Sequence, residues 1–145
     1  SLFEVLPYLV AYKCALIALA VLAASILIQG LLTAPLAFAS GDQAPGIPLK
    51  GDHSQLSFRV VRTHLNSVEN LSPFVATVLL AIVAGVDATW VNWLAGLHVA
   101  FRFLFWAVYY SGVGKVAGGP RTLGFVGGLL TNMILAAMTL YALLV

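Results

Sequence analysis

The stretch Arg59-Val-Val-Arg62-Thr-His64-Leu-Asn66-Ser-Val-Glu69-Asn-Leu-Ser-Pro73-Phe74 places two guanidinium groups, an amide and a carboxylate at the start of a run that otherwise reads as membrane-spanning. Charges in such a run are expensive and mark function by default. At about 100° per residue, Arg59, Arg62, Asn66 and Glu69 fall within about 80° of one another on a helix. One face therefore offers cation, cation, amide and anion in order, a ladder suited to a zwitterionic ligand.

The elements that carry this ladder follow from composition. The chain has 145 residues, of which 61% are hydrophobic and 8% charged, and its mean hydropathy is +1.01. A soluble domain carries roughly a quarter charged residues, so this is an all-α integral membrane chain with no room for a separate soluble domain. Apolar segments predict helices over about 7–32, 53–86, 88–112 and 121–144, a four-helix transmembrane bundle forming one domain over 1–145. Each exceeds the roughly 20 residues that span a bilayer. Asp52-His-Ser-Gln55 resembles a capping box and starts the second helix near His53; Asp87 caps the third. Gly112, Gly114, Gly118, Gly119 and Pro120 mark the third connection. The first segment is too long and too apolar for a cleaved signal peptide. A net charge of +2, scattered along the chain, gives no nucleic-acid footprint. The single Cys14 excludes an intramolecular disulfide and a cysteine-based zinc site. By the positive-inside rule, Lys50, Arg59, Arg62, Lys115 and Arg121 put the first and third connections, and the ladder, on the cytoplasmic side.

Depth along the helices brings further polar groups to the ladder. Counted from the outer ends, Glu69 lies at ~25 Å and Arg102 at ~21 Å, Asn66 at ~30 Å and Tyr109 at ~31 Å. Glu69 and Arg102, opposite charges at similar depth, are expected to pair, because each is costly alone. Arg102, Phe105 and Tyr109 share a face. Arg121 opens the fourth helix, where free amides and the helix dipole already favour an anion, and Thr122 adds a hydroxyl. A ligand for these parts needs carboxylates for Arg59 and Arg62, an amine for Glu69, and a thiolate-like anion for Arg121, since a cationic site favours the thiolate. Glutathione has this inventory, though the inventory alone does not single it out.

The same residues resemble the MAPEG family, the membrane-associated proteins of eicosanoid and glutathione metabolism. Arg62-x3-Asn66-x2-Glu69 with Pro73-Phe74 is similar to the family's second-helix motif, Arg102-x6-Tyr109 to its third-helix pattern, and Arg121-Thr122 to the start of the fourth helix in the prostaglandin-E-forming branch, which His64 also fits. The resemblance implies a homotrimer of four-helix subunits that binds glutathione as cosubstrate between subunits near the cytoplasmic face, in a bacterial inner membrane. It implies glutathione contacts from Arg62, Asn66, Glu69 and Tyr109, thiolate stabilisation by Arg121, and Arg102 as the buried partner of Glu69. The implied activity is that of a glutathione-dependent transferase or peroxidase acting on lipophilic electrophiles or hydroperoxides drawn from membrane lipid, without a metal.

Several positions depart from the eicosanoid-forming members. Phe105 stands where they carry a ring with a polar atom, Leu32 or Thr33 lies near their helix-one arginine, Leu65 replaces a further arginine, and Gly118-Gly119-Pro120 lengthens a connection; Asp42 aligns loosely with a loop aspartate. These favour a broad-specificity, bacterial-type member. Two other functions remain open: a non-catalytic lipid- or glutathione-binding scaffold of the same fold, and a small four-helix transporter in which Glu69 titrates. Single residues also have plainer readings. Arg59 can snorkel to lipid headgroups, and Tyr109 can belong to an interfacial aromatic belt. His64 lies opposite the ladder and reads as a packing residue. His53 and His98 show no second ligand at metal spacing. Gly124-x3-Gly128 permits close helix packing, and Lys50 and Lys115 read as solvated loop charges.

Overall fold

Buried side chains recur at helical spacing on each long segment, and these stripes set the architecture. The structure, a computed structural model, describes residues 1–39, 50–114 and 117–145; Asp42 and Lys115 lie outside them. A short α1 (Leu2–Val5) and a 3-10 turn (Pro7–Tyr12) lead into α2 (Lys13–Ala39), followed by α3 (Leu56–Val83), α4 (Ala88–Ser111) and α5 (Pro120–Leu144). Among the described residues, four helices are long and apolar enough to cross a membrane. The stripe of α2 is Ala15, Ala18, Leu22 and Ile26, and that of α4 runs from Val91 through His98 and Arg102 to Tyr109. Helix α4 touches α2, α3 and α5 and forms the centre of the bundle. Outward positions such as Leu27, Leu31, Leu80 and Val83 are exposed, as a lipid-facing surface requires.

Helix ends differ from the sequence expectation for identifiable reasons. Helix α2 passes Leu32 and continues to Ala39 with Pro35 inside it, a position that membrane helices tolerate. Asp52 accepts a hydrogen bond from Ser54 N at 2.8 Å, and Gln55 N donates to Asp52 O at 3.2 Å. Residues 52–54 thus close a turn rather than a first helical turn, and α3 begins at Leu56 with Gln55 as an N-cap lacking a side-chain bond. At its other end Gly85 turns left-handed (φ 71°), and Val86 N reaches back to Ala81 O at 3.0 Å. This Schellman closure ends α3 at Val83 rather than near 86. Asp87 caps α4 as expected, accepting from Thr89 N and Trp90 N. Pro120, the first residue of α5, starts that helix one position before Arg121.

The entry to α2 is held by a side chain distant in sequence. Asn92 Oδ1 accepts from Ala15 N at 2.9 Å, and its Nδ2 donates to Ala11 O at 2.7 Å. An amide on α4 thereby satisfies a donor that α2 cannot satisfy itself. Asn92→Leu is expected to destabilise the protein by about 1–3 kcal/mol, the cost of leaving a buried polar group unpaired. Thermal unfolding in detergent checks this, and an unchanged midpoint would remove the clasp.

Helix α5 approaches α4 most closely at Gly124. A Cβ there would lie 2.8 Å from Phe105 N and 3.0 Å from Phe101 O, whereas at Gly128 the nearest atom would be Arg102 Cδ at 3.4 Å. The expected close packing is present, and Gly124 is the glycine of the pair that brings the two backbones together.

Candidate functional site

Helices α3, α4 and α5 border an open-sided cavity of about 360 Å³ at the end of the bundle where α3 and α5 begin and α4 finishes. Arg62 and Asn66 from α3, Phe105 and Tyr109 from α4, and Arg121, Thr122 and Phe125 from α5 line it, with His53 from the turn before α3. Five residues singled out in the sequence, Arg62, Asn66, Tyr109, Arg121 and Thr122, therefore share one cavity wall. Asn66 and Tyr109, expected at the same depth, both line it.

Arg102 is buried, at 2% exposure, but its partner differs from expectation. Its Nη2 donates to Asn66 Oδ1 at 2.6 Å, whereas Glu69 pairs with Arg62 at 3.4 Å. The expected Glu69–Arg102 ion pair is not formed. The reason is angular: α3 buries Thr63, Ser67 and Phe74, and Glu69, two residues after Ser67, is turned about 200° from it. The Glu69 side chain, 57% exposed, consequently points away from the core, while Asn66 faces α4. The bond to Arg102 fixes the amide of Asn66 and leaves its Nδ2 group as a donor.

The cavity wall on α4 is a stack. The Arg102 guanidinium lies 4.8 Å from the Phe105 ring centroid, Phe105 stacks on Tyr109 at 5.6 Å, and the Arg121 guanidinium lies 5.0 Å from the Tyr109 ring centroid. Two cations cap two π-faces, an attractive arrangement that is strengthened by desolvation. Phe105 thus replaces a polar contact with a face that positions Tyr109, and the stack holds Arg121 over the cavity. Thr122 Oγ1 accepts from Gly118 N at 2.8 Å, so its own hydroxyl proton remains available to a ligand.

Arg59 does not line this cavity. Its Nη1 donates to His53 O at 2.9 Å and to Ser54 O at 2.8 Å, and its guanidinium packs where a Cβ on Gly112 would stand. It ties the start of α3 to the end of α4. His64 packs against Gly30 of α2, away from the cavity, and His98 bonds Gly128 O at 2.8 Å while stacking on Phe74. Both histidines serve helix packing.

The MAPEG family model matches residues 10–141 of this 145-residue chain. The chain belongs to the MAPEG family. It is accordingly a multi-pass membrane protein with a four-helix bundle, in a family that includes glutathione transferases and isomerases. A search of curated proteins finds no match.

In this MAPEG chain the residue that sequence reasoning passed over is His53. Its Nδ1 lies 2.6 Å from the Tyr109 hydroxyl, and its ring meets Phe58 edge-on at 5.0 Å. No periodicity could place it, since it precedes α3; the signal available was Asp52-x-Ser54, a turn former that holds the intervening side chain in a fixed position. Ser54 bonds, first through its side chain and then its backbone, hold the Asp52 carboxyl below the usual carboxylate range, and His53 adds to the effect. Asp52 therefore stays ionised beside His53 at neutral pH.

Proposed function

We propose that this protein is a glutathione-dependent transferase or peroxidase of the membrane, activating the glutathione thiol for attack on lipophilic electrophiles or hydroperoxides. The observation that carries the reading is the single cavity shared by Arg62, Asn66, Tyr109, Arg121 and Thr122. Arg62 supplies a cation for a glutathione carboxylate, and Asn66 an amide held by Arg102. Arg121, in the first turn of α5, adds its charge to the helix dipole where the thiolate would lie. Glu69 is the group for the ammonium, and Arg59 a further cation nearby. Thiolate attack needs no metal. The aliphatic exterior supports delivery of the second substrate from the bilayer.

Homotrimeric assembly completes this reading. Arg62 and Glu69 side chains are 42% and 57% exposed in one chain, and charges at that depth are costly against lipid. A second copy covering them would remove that cost and add the outer wall of the glutathione site. Charge distribution supports a cytoplasmic site, in a bacterial inner membrane.

Purified protein is expected to show glutathione-dependent turnover on a broad panel of electrophiles and lipid hydroperoxides. The absence of any turnover, together with glutathione binding by calorimetry, would instead favour a non-catalytic glutathione binder, the reading that Phe105 in the cavity wall supports. Absence of both would end the glutathione reading.

A further inference from the structure

Stabilising a thiolate is half of thiol activation, because the proton must also leave. Arg62, Asn66, Phe105, Arg121, Thr122 and Phe125 offer no group that takes up a proton near neutral pH. The two other cavity side chains, Tyr109 and His53, are joined by the 2.6 Å hydrogen bond between hydroxyl and Nδ1. Imidazole is the side chain that accepts a proton in this range. His53 is held for the task by the Arg59 bond to its carbonyl and by the edge of Phe58. The Tyr109 hydroxyl has its ring buried at 5% exposure under Arg121.

We propose that His53 takes up the glutathione thiol proton, with the Tyr109 hydroxyl as the relay; the inference rests on the glutathione reading above. The S–H bond breaks and its proton moves to the Tyr109 oxygen, while the Tyr109 O–H proton moves to His53 Nδ1. The electron pair stays on sulfur. The products are a thiolate beside Arg121, an intact tyrosine and an imidazolium, so charge and atoms balance. The step uses the tautomer with its resting proton on Nε2. The charged groups around the pair are Arg59, Arg62 and Arg121, with ionised Asp52 preceding His53 in the chain. The half-buried ring then passes the proton to water. His53 is in this sense the base, acting on the thiol through Tyr109 rather than by direct contact.

Stopped-flow mixing of glutathione with the purified full chain, followed by thiolate absorbance and by proton release to an indicator dye, tests the relay. His53→Asn keeps an oxygen that accepts from Tyr109 but removes the base. It is expected to slow thiolate formation by roughly 10²-fold, the low end for positioned proton transfer, with glutathione affinity unchanged and with rate restored by imidazole in the buffer. Adding His53→Asn to Tyr109→Phe is expected to slow the step no further than Tyr109→Phe alone, since both cut one path. A wild-type rate in His53→Asn, or a slow rate that imidazole leaves unchanged, overturns the relay and leaves His53 bracing Tyr109. A wild-type protein that shows no thiolate signal and no glutathione binding overturns the glutathione reading and the relay together.

Discussion

Arg121→Ala is expected to abolish the ultraviolet signature of bound glutathione thiolate at neutral pH and to slow glutathione-dependent turnover by about 10²-fold or more, the scale of removing one preorganised charge-stabilising donor. The geometry explains the size. Arg121 sits in the first turn of α5, stacked 5.0 Å from the Tyr109 ring centroid and lining the cavity. In the proposed reaction its charge would already stand beside the developing thiolate, with no rearrangement needed at the moment of reaction. Affinity for glutathione should fall less than turnover, since Arg62 and Asn66 remain for the rest of the peptide. Arg121→Lys is expected to be intermediate, because an ammonium keeps the charge but not the planar face that stacks on Tyr109. Difference spectra of the three proteins with saturating glutathione check this. A thiolate signal that survives in Arg121→Ala would place thiol activation elsewhere.

Gly124→Ala is expected to lower stability by about 1–3 kcal/mol, the usual cost of overpacking, and to weaken glutathione binding as well. The added methyl would stand 2.8 Å from a backbone nitrogen of α4, and a backbone cannot turn aside as a side chain can. The helices must separate, and Arg121 lies less than one turn away on α5. Gly128→Ala is the informative contrast. Its methyl would meet Arg102 Cδ at 3.4 Å, an ordinary contact, and replacing a mid-helix glycine by alanine gains roughly 0.5–1 kcal/mol. It should unfold at the wild-type temperature or above it. Equal midpoints for the two variants in detergent would show that α4 and α5 do not meet as described.

This contrast shows where sequence reasoning stopped. Gly124 and Gly128 are equivalent in the pattern Gly-x3-Gly, and only the crossing of α4 and α5 decides which one touches backbone. The same holds for the ion pair. Depth counted along the helices put Glu69 and Arg102 at similar levels, but depth carries no rotation. The buried stripe of α3, set by packing against its neighbours, turns Asn66 to Arg102 and Glu69 outward.

The amino-acid sequence by itself determined the membrane character, the four spanning helices and the family pattern, because hydropathy and helical period are local and act over whole segments. It also determined most of the candidate site, since Arg62, Asn66, Tyr109, Arg121 and Thr122 are polar groups, and apolar helices rarely carry such groups without a use for them. The tertiary structure alone decided the partners of Arg102 and Glu69, the use of Asn92 to cap a distant helix, the role of Phe105 as a stacking face, and the entry of His53 into the cavity. Each of these depends on the rotation and crossing of helices or on a turn outside any periodic element, and such relations between distant residues are fixed only when the chain packs.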